Sequence, residues 1–404
     1  MGKPRIVILG AGYAGIMTAV TLQKKLRLDD AEIQLINKHA YHYQTTWLHE
    51  NAAGTLADER TKIAIDQLID PRKIEFIQDT VTHIDVDEKK INLVQSELDY
   101  DYLVVALGFE METFQIPGLK EYSLSMGTSN QAKILREQVE SQFATYTNTG
   151  ANTHPLTIVV GGGGFTGVEY LGELTDQLSN LCKAHNVKQE NVKIITVEAA
   201  PTVMPGFDSE LGEYAMQYLE ERGVEFRLGT KVKIVKRDYI VVEKAGAVEE
   251  IPTSAFIWSA GVRANKIMEK SGISNNKGSV KVNADLRAPG YHNVFVIGDC
   301  ALIYSEDGET YPPTAQMTMQ EAKVCASNLV KLMKGDVNLD AFYFKDRGTI
   351  ASLGRKDAIG NIFNNRKTFG KEAIVLKQII DNRVLYQIGG WPLLFKKGKF
   401  KLFH

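Results

Sequence analysis

The hydrophobic pattern changes period several times along the chain, and each change marks an element. Arg5–Leu9 ends in four unbroken apolar residues closed by glycine, which predicts a short buried strand. Ile16, Ala19, Val20 and Leu22 then recur at helical spacing before a basic end at Lys24, Lys25 and Arg27. A second strand is expected at Glu32–Ile36, which completes a β-α-β unit. Between 73 and 105 apolar and polar residues alternate around a charged turn at Asp85–Lys90, so short strands are expected there. Tyr102–Leu107 is a further buried strand that stops on Gly108. Pro117-Gly118 breaks the pattern, a polar amphipathic helix is expected over 128–147, and TNTGANTHP (147–155) has the composition of a linker.

After that linker the first arrangement repeats. The apolar run Leu156–Val160 enters four glycines, a helical pattern runs through Leu181, and VKIITV (192–197) forms the next strand. Strands near 224–244 and at Ala255–Ser259 close this unit. The region 280–300 returns to the first unit with VFVIGDC, and a helix starts after Pro312-Pro313 with Thr314 as its cap. The last part has a strand-like start at Ala341–Leu353 and a helical pattern from 371 to 388.

The glycines give both units a chemistry. Gly10, Gly12 and Gly15, with Ala11, Tyr13 and Ala14 between them, stand in G-x-G-x-x-G spacing, as do Gly162, Gly164 and Gly167. The first glycine permits a sharp turn, the second lets backbone approach a pyrophosphate, and the third lets helix pack close to strand. Free N–H groups at the new helix's N-terminus then hold the phosphates. In such folds an acid at the tip of the second strand takes the ribose hydroxyls. Asn37 occupies that place in the first unit and can still bond a ribose through its amide. In the second unit Glu198 is the acid, and a carboxylate there repels a 2′-phosphate, favouring NADH over NADPH.

Size and composition narrow the reading. The chain has 404 residues, enough for two or three domains, with 44% hydrophobic and 24% charged residues, as in a soluble globular protein. A net charge of -2, with no dominant basic stretch, gives no footprint for nucleic acid. Cys182, Cys300 and Cys325 form no C-x-x-C, which fits a reducing compartment and argues against a disulfide framework or a bound metal. The apolar start is shorter than a signal peptide's core, and no run approaches the length of a membrane span, so a cytosolic origin is expected. Two dinucleotide units, the second inserted in the first, imply two dinucleotides. The economical pairing is a bound flavin in the first and a nicotinamide cofactor in the second, with hydride passing from one to the other.

At this point the residues meet a family. GAGYAG, GGGGFTGVEYLGEL, VFVIGDC, the PPTAQ helix start, AQ-x-x-x-Q and YHYQTTWLHE (41–50) together resemble the bacterial type II NADH dehydrogenases, the non-proton-pumping NADH:quinone oxidoreductases. These belong to the two-dinucleotide flavoprotein reductases. The resemblance implies an α/β fold of two Rossmann-like, glutathione-reductase-like dinucleotide-binding domains plus a C-terminal membrane-associating segment. The division expected is 1–120 and 265–335 for FAD, 121–264 for NADH, and 336–404 for the membrane-associating region. It implies one FAD per chain, with NADH and a membrane quinone (menaquinone or ubiquinone) as substrates, and respiratory-chain entry at the cytoplasmic face of a bacterial membrane. A homodimer is compatible with it.

The resemblance also assigns residues. Gly10 to Ala14 would hold the flavin pyrophosphate, Asn37 and Lys38 the ribose, and Val81 the adenine through its backbone. Asp299 would bind the ribityl chain, whose hydroxyls are donors to a carboxylate. Ala315 and Gln316 would lie under the isoalloxazine at a helix N-terminus, where positive dipole favours a reduced, anionic ring. Lys377 would reach the flavin from the C-terminal segment, and Glu169 would stand near the nicotinamide as the functional carboxylate, with Glu173 one turn on. Gln316 and Gln320, also one turn apart, would face the quinone. From the residues alone, Glu169 is equally a helix-start acid, the glutamines polar helix residues and Lys377 a surface lysine. Thr318 stands where the family pattern usually has alanine.

Three other kinds of flavoprotein set different demands on the same residues. A sulfide:quinone oxidoreductase needs a cysteine set at the flavin, and only Cys300 and Cys325 fall near flavin-binding segments; disulfide reductases need a redox pair soon after the first glycine loop, and 16–60 has no cysteine. A flavoprotein that senses NADH as an interaction module is the third. The tail 391–404 carries Trp391, Leu393, Leu394, Phe395, Phe400, Leu402 and Phe403 beside four lysines and no acid. With the apolar positions Ile374, Val375, Leu376, Ile379, Ile380, Val384, Leu385 and Ile388 upstream, it fits the boundary of an anionic leaflet, or else a helix packed on the protein with a solvated end.

Overall fold

The computed structural model describes residues 2–149, 155–363 and 365–400. Most of the expected linker, 150–154, and the tail residues Lys401, Leu402, Phe403 and His404 lie outside the described residues. Two parallel sheets form the body. The first has five strands in the order Val294–Val296, Tyr102–Val105, Arg5–Leu9, Glu32–Asn37 and Ile74–Gln78. The second has four, in the order Val224–Leu228, Val192–Glu198, Leu156–Gly161 and Ala255–Trp258. Their central strands are wholly buried, because helices cover one face and an antiparallel sheet the other, and this is why they read as unbroken apolar runs. Each sheet carries a three-stranded antiparallel extension. One strand of the second extension, Ala247–Pro252, was not expected from its largely exposed, acidic composition.

The helices that shape the site are α1 (Tyr13–Lys25), α2 (Leu48–Ala52), α3 (Ser129–Thr149), α4 (Phe165–His185), α5 (Ala315–Met333) and α6 (Gly370–Lys397). Helix α4 runs a turn beyond the expected stop at Leu181 and ends on Asn186 in the left-handed conformation, φ +55°. Only two short strands, Phe109–Met111 and Val262–Ala264, lead into and out of the second sheet, and they pair antiparallel to each other. Leu119 packs with Val159 and Ile195 of the second sheet, and Met111 and Ile116 lie against the same cluster.

The C-terminal part departs most from expectation. The strand expected over Ala341–Leu353 is confined to Gly348–Ser352, which pairs with Ala358–Ile362 and through it with Arg366–Phe369. Helix α6 is longer than the 371–388 pattern and kinks at Gly390, φ +67°, just before Pro392, which has no N–H to continue the ladder. Its apolar face is divided. Leu385, Ile388 and Leu393 enter the core shared with α1 and α5, and Ile374 and Leu376 pack on the C-terminal sheet. Ile379, Ile380, Tyr386, Trp391 and Phe395 point outward.

One close approach fixes how this part meets the second half. Gly172, in mid-α4, lies so near the chain at Leu353-Gly354 that a Cβ there would stand 2.3 Å from the Leu353 carbonyl carbon. Gly172→Ala is therefore expected to destabilise the protein by about 1–3 kcal/mol through overpacking against backbone. Urea unfolding of the purified variant checks this; wild-type stability would mean that the helix and the loop separate without cost.

Candidate functional site

The two glycine loops are built alike, atom for atom. Gly10 and Gly162 both have positive φ, +96° and +112°, and their N–H groups donate to Ile36 and Val197 carbonyls at 2.8 and 2.9 Å. Gly15 and Gly167 are the close-packing positions: a Cβ on either would lie about 2 Å from the carbonyl oxygen of Gly10 or Gly162 (1.8 and 2.0 Å). Gly12 and Gly164 are the helix N-caps of α1 and α4, with no side-chain cap and nothing within 4 Å of where a Cβ would be. Each helix thus opens on free N–H groups facing clear space, the arrangement that receives a pyrophosphate.

The strand tips complete the parallel. Asn37 accepts from Ala11 N–H through Oδ1 at 3.0 Å, and Glu198 accepts from Gly163 N–H through Oε2 at 2.6 Å. An amide and a carboxylate therefore hold the same loop position in the two halves. Lys38 is exposed beside Asn37, and Val81 begins the next short strand with its side chain buried. The first loop is further buckled by the segment 41–47. His42 Nδ1 bonds the Ala11 carbonyl oxygen at 2.8 Å, and Tyr13 donates to Gln44 at 2.8 Å. Burial lowers the His42 pKa to about 4, so the ring is a neutral donor to that carbonyl.

Opposite α1, Asp299 follows the strand Val294–Val296 on a single turn. Burial raises its carboxyl to about 6, and its side chain meets no other side chain within bonding distance among the described residues. Such a carboxylate needs donors from a bound group, and a polyhydroxyl chain supplies them. Helix α5 opens at Ala315 beneath, capped by Thr314, whose hydroxyl accepts from Met317 N–H at 3.2 Å. Both cradles and Asp299 fit FAD in the first half and a nicotinamide dinucleotide in the second.

Gln316 and Gln320 have occupations that the sequence did not show. Gln316 accepts from Arg347 N–H at 2.9 Å and donates to the Gly348 carbonyl at 3.2 Å. Gln320 accepts from Lys345 N–H at 3.2 Å and donates to its carbonyl at 3.1 Å. The two amides clamp the extended 345–347 segment up to the first residue of the strand at Gly348, which is why 345–347 needs no sheet partner.

Glu169 and Lys377, read separately from the sequence, form one buried ion pair at 2.9 Å. Ser352 N–H also donates to Glu169 at 3.2 Å, and His49 Nδ1 lies 3.6 Å from its other oxygen. Burial opposes both charges, and the attraction of Lys377, with the bonds from Lys377 and Ser352 N–H, outweighs it at Glu169, which stays below the ordinary carboxylate range; Lys377 is correspondingly raised. Burial lowers His49, so its imidazole is neutral at neutral pH. His49, Ser352 and the next knot along α6 are functional candidates the sequence did not reveal. In that knot Lys399 bonds Glu50 and lies 3.3 Å from Asp381, with its ammonium 4.3 Å from the centre of the Trp47 ring. Here too burial acts against charge and the pairing prevails, lowering Glu50 and raising Lys399.

Glu173 lies in the same interior, one turn from Glu169, with one oxygen unpartnered among the described residues. Burial, reinforced by the charge on Glu50, raises its carboxyl to about 7. A folded value above the unfolded one means that the native state binds this proton more tightly. The stability it contributes is present below the unfolded value of about 4.3 and falls as pH rises to about 7, beyond which nothing more is lost. Glu173→Gln should remove that slope. The melting-temperature difference between variant and wild type should grow in the variant's favour across that window and then level off; a constant difference would place the proton elsewhere.

Comparison with known proteins accords with this geometry. The pyridine nucleotide-disulphide oxidoreductase family matches residues 4–322. A type II NADH:quinone oxidoreductase of Staphylococcus aureus (strain MSSA476) is 42% identical over 400 residues, covering 98% of this chain and 99% of that protein. Among solved structures, NDH2 from Plasmodium falciparum in complex with NADH matches with a TM-score of 0.88 at 18% identity, covering 98% of this chain and 97% of that one. The sulfide:quinone oxidoreductase of Aquifex aeolicus follows with a TM-score of 0.79 at 22% identity over 96% of this chain and 91% of that one. At such identities these two structures speak to the fold alone. On the family match and the full-length relative together, the chain belongs to the pyridine nucleotide-disulphide oxidoreductases and, within them, to the type II NADH:quinone oxidoreductases.

Proposed function

We propose that the first cradle, with Asn37, Val81 and Asp299, holds FAD, and that the second, with Glu198, receives NADH. The protein is an FAD-dependent enzyme that oxidises NADH and reduces quinone. FAD, when bound, accepts hydride from the nicotinamide and returns electrons in pairs to the quinone. The observation that carries the residue assignment is the equivalence of the two loops, ended by an amide in one half and a carboxylate in the other. The FAD domain is taken as 1–108 and 265–335, the NADH domain as 109–264, and 336–404 as the membrane-associating region; the packing of Leu119 supports moving the first boundary.

In this reading the chain's own groups position and neutralise. The N-terminus of α5, at Ala315, would present positive dipole to a bound flavin and would favour its anionic reduced form. Glu169, held ionised by Lys377 beside neutral His49, offers a fixed carboxylate in the first turns of α4, the helix that opens on the second cradle. The glutamines Gln316 and Gln320 set the 345–348 wall, through which a quinone site is shaped and not simply lined. All three cysteines are free and buried, and burial raises Cys300 to about 12, so neither Cys300 nor Cys325 is poised to carry sulfur. This favours the NADH reading over sulfide oxidation.

Docking is proposed to be peripheral, on the cytoplasmic face of a bacterial membrane. No helix among the described residues is long and apolar enough to cross one. The outward residues Tyr386, Trp391, Phe395 and Phe400 stack in succession, with ring centres 5.0, 5.8 and 6.5 Å apart, as an amphipathic aromatic strip at a headgroup boundary would.

The test is Glu169→Gln. It should retain FAD, judged by the visible flavin spectrum, while turnover with NADH and a soluble quinone falls by about 10–100-fold. Unchanged kinetics would remove Glu169 from the mechanism.

A further inference from the structure

Two of the described tail lysines, Lys397 and Lys399, turn toward the protein, while Lys396 stays exposed. Lys396 bonds Gln67 at 3.1 Å, Lys397 bonds the Lys62 carbonyl at 2.9 Å, and Lys399 is buried with Glu50 and Asp381. The aromatic strip therefore keeps one exposed cation of its own among the described residues, Lys396, and a larger cluster of cations stands beside it. Beside the strip, α1, α5 and α6 enclose a cavity of about 570 Å³, and its wall includes Lys24, Lys25, Lys323, Ser327, Tyr386 and Trp391. Gly390, where α6 kinks, and Trp391 both line this cavity.

Its electrostatics are one-sided. No acid lines it. Lys323 is lowered by burial and then by Arg383, Arg347 and Lys24, cations that crowd it without a counter-charge. None of these five basic side chains has a hydrogen-bond or ion-pair partner among the described residues, and the Ser327 hydroxyl is also free. A helix C-terminus accounts for some attraction at Lys24 and Lys25, since they complete the α1 dipole, but not for Lys323 or Arg383, which belong to other helices. A cluster of like charges around an apolar cavity is repulsive until an anion with an apolar body enters it.

We propose that this cavity binds the phosphate headgroup of an anionic phospholipid, with the acyl chains leaving along Trp391 and Phe395. The inference rests on the membrane reading above and sharpens it, from a surface to one lipid class at one place. Lys323 follows Gln316 and Gln320 on the same face of α5, at seven and three residues, so the headgroup sits about 10 Å along the helix from the proposed quinone wall. The lipid thereby holds the quinone entrance against the leaflet from which a quinone arrives.

The experiment is flotation of the FAD-loaded enzyme with two vesicle types, phosphatidylcholine alone and phosphatidylcholine with about one-third phosphatidylglycerol. Wild type should bind the anionic vesicles more tightly. K24Q/K25Q/K323Q should lose about 100-fold of that affinity, at about fivefold per lysine, and keep whatever binding it has to the neutral vesicles. A control of equal charge change far from the cavity, K236Q/K244Q/K270Q, should keep the preference. Ser327→Phe, which fills the cavity and leaves every lysine in place, should lose it.

Equal losses in both triple variants, or full binding by Ser327→Phe, would overturn the proposal in favour of a diffuse field. Equal wild-type binding to both vesicles would overturn it while leaving the membrane reading intact; binding to neither would remove both. Competition by inorganic phosphate at millimolar levels would reassign the site to a free anion, and a raised quinone KM without loss of lipid preference would reassign it to the substrate.

Discussion

Lys377 and Glu169 are both out of water, and neither can stay there charged without the other. Desolvation of each costs several kcal/mol, recovered only when geometry is close and the remaining lone pairs are filled. Here the distance is 2.9 Å, Ser352 N–H fills a second site on the carboxylate, and Gly172 allows the loop carrying Ser352 to come near enough. Because Lys377 is on α6 and Glu169 on α4, the pair fixes the C-terminal helix to the second half. Lys399, just past the end of α6, repeats the device with Glu50 of α2 and Asp381. Between these two knots the helix can place hydrophobic residues on the protein and leave others facing outward.

The two sheets and both glycine loops were legible because their signals are local. A parallel strand buried on both faces must be apolar throughout, and the loop that follows must be glycine at the positions where carbonyls approach its Cβ. Glu198 and Asn37 were legible as strand tips for the same reason. The ion network was not, because its members come from 49–50, 169–173, 352, 377–381 and 399. Each resembles an ordinary surface charge until the fold brings it inside. Lys377, expected at the flavin, bonds Glu169 at 2.9 Å.

The 341–353 stretch shows a different limit. Its alternation is that of a strand, but a strand also needs a neighbour, and 341–347 is held by glutamine amides and by a single Phe342 N–H bond to Ala284 at 2.7 Å. Side-chain amides satisfy backbone as well as a ladder does, and periodicity does not distinguish them. The tail misled for a related reason. Lysines next to aromatic residues are usually solvated ends, but a long stem lets the ammonium travel inward when carboxylates and carbonyls wait there.

The antiparallel pair Phe109–Met111 and Val262–Ala264 sets an order of assembly during synthesis. The first sheet is closed at one edge by Val294–Val296, which pairs with Leu103–Val105, so it lacks an edge strand until the whole second half has been made. The second sheet, by contrast, draws its four strands from one continuous stretch. A ribosome therefore delivers a complete inner unit before the outer one can close around it. Closure of the outer sheet is a late, long-range event, and during that interval the Tyr102–Val105 edge is open to other partners.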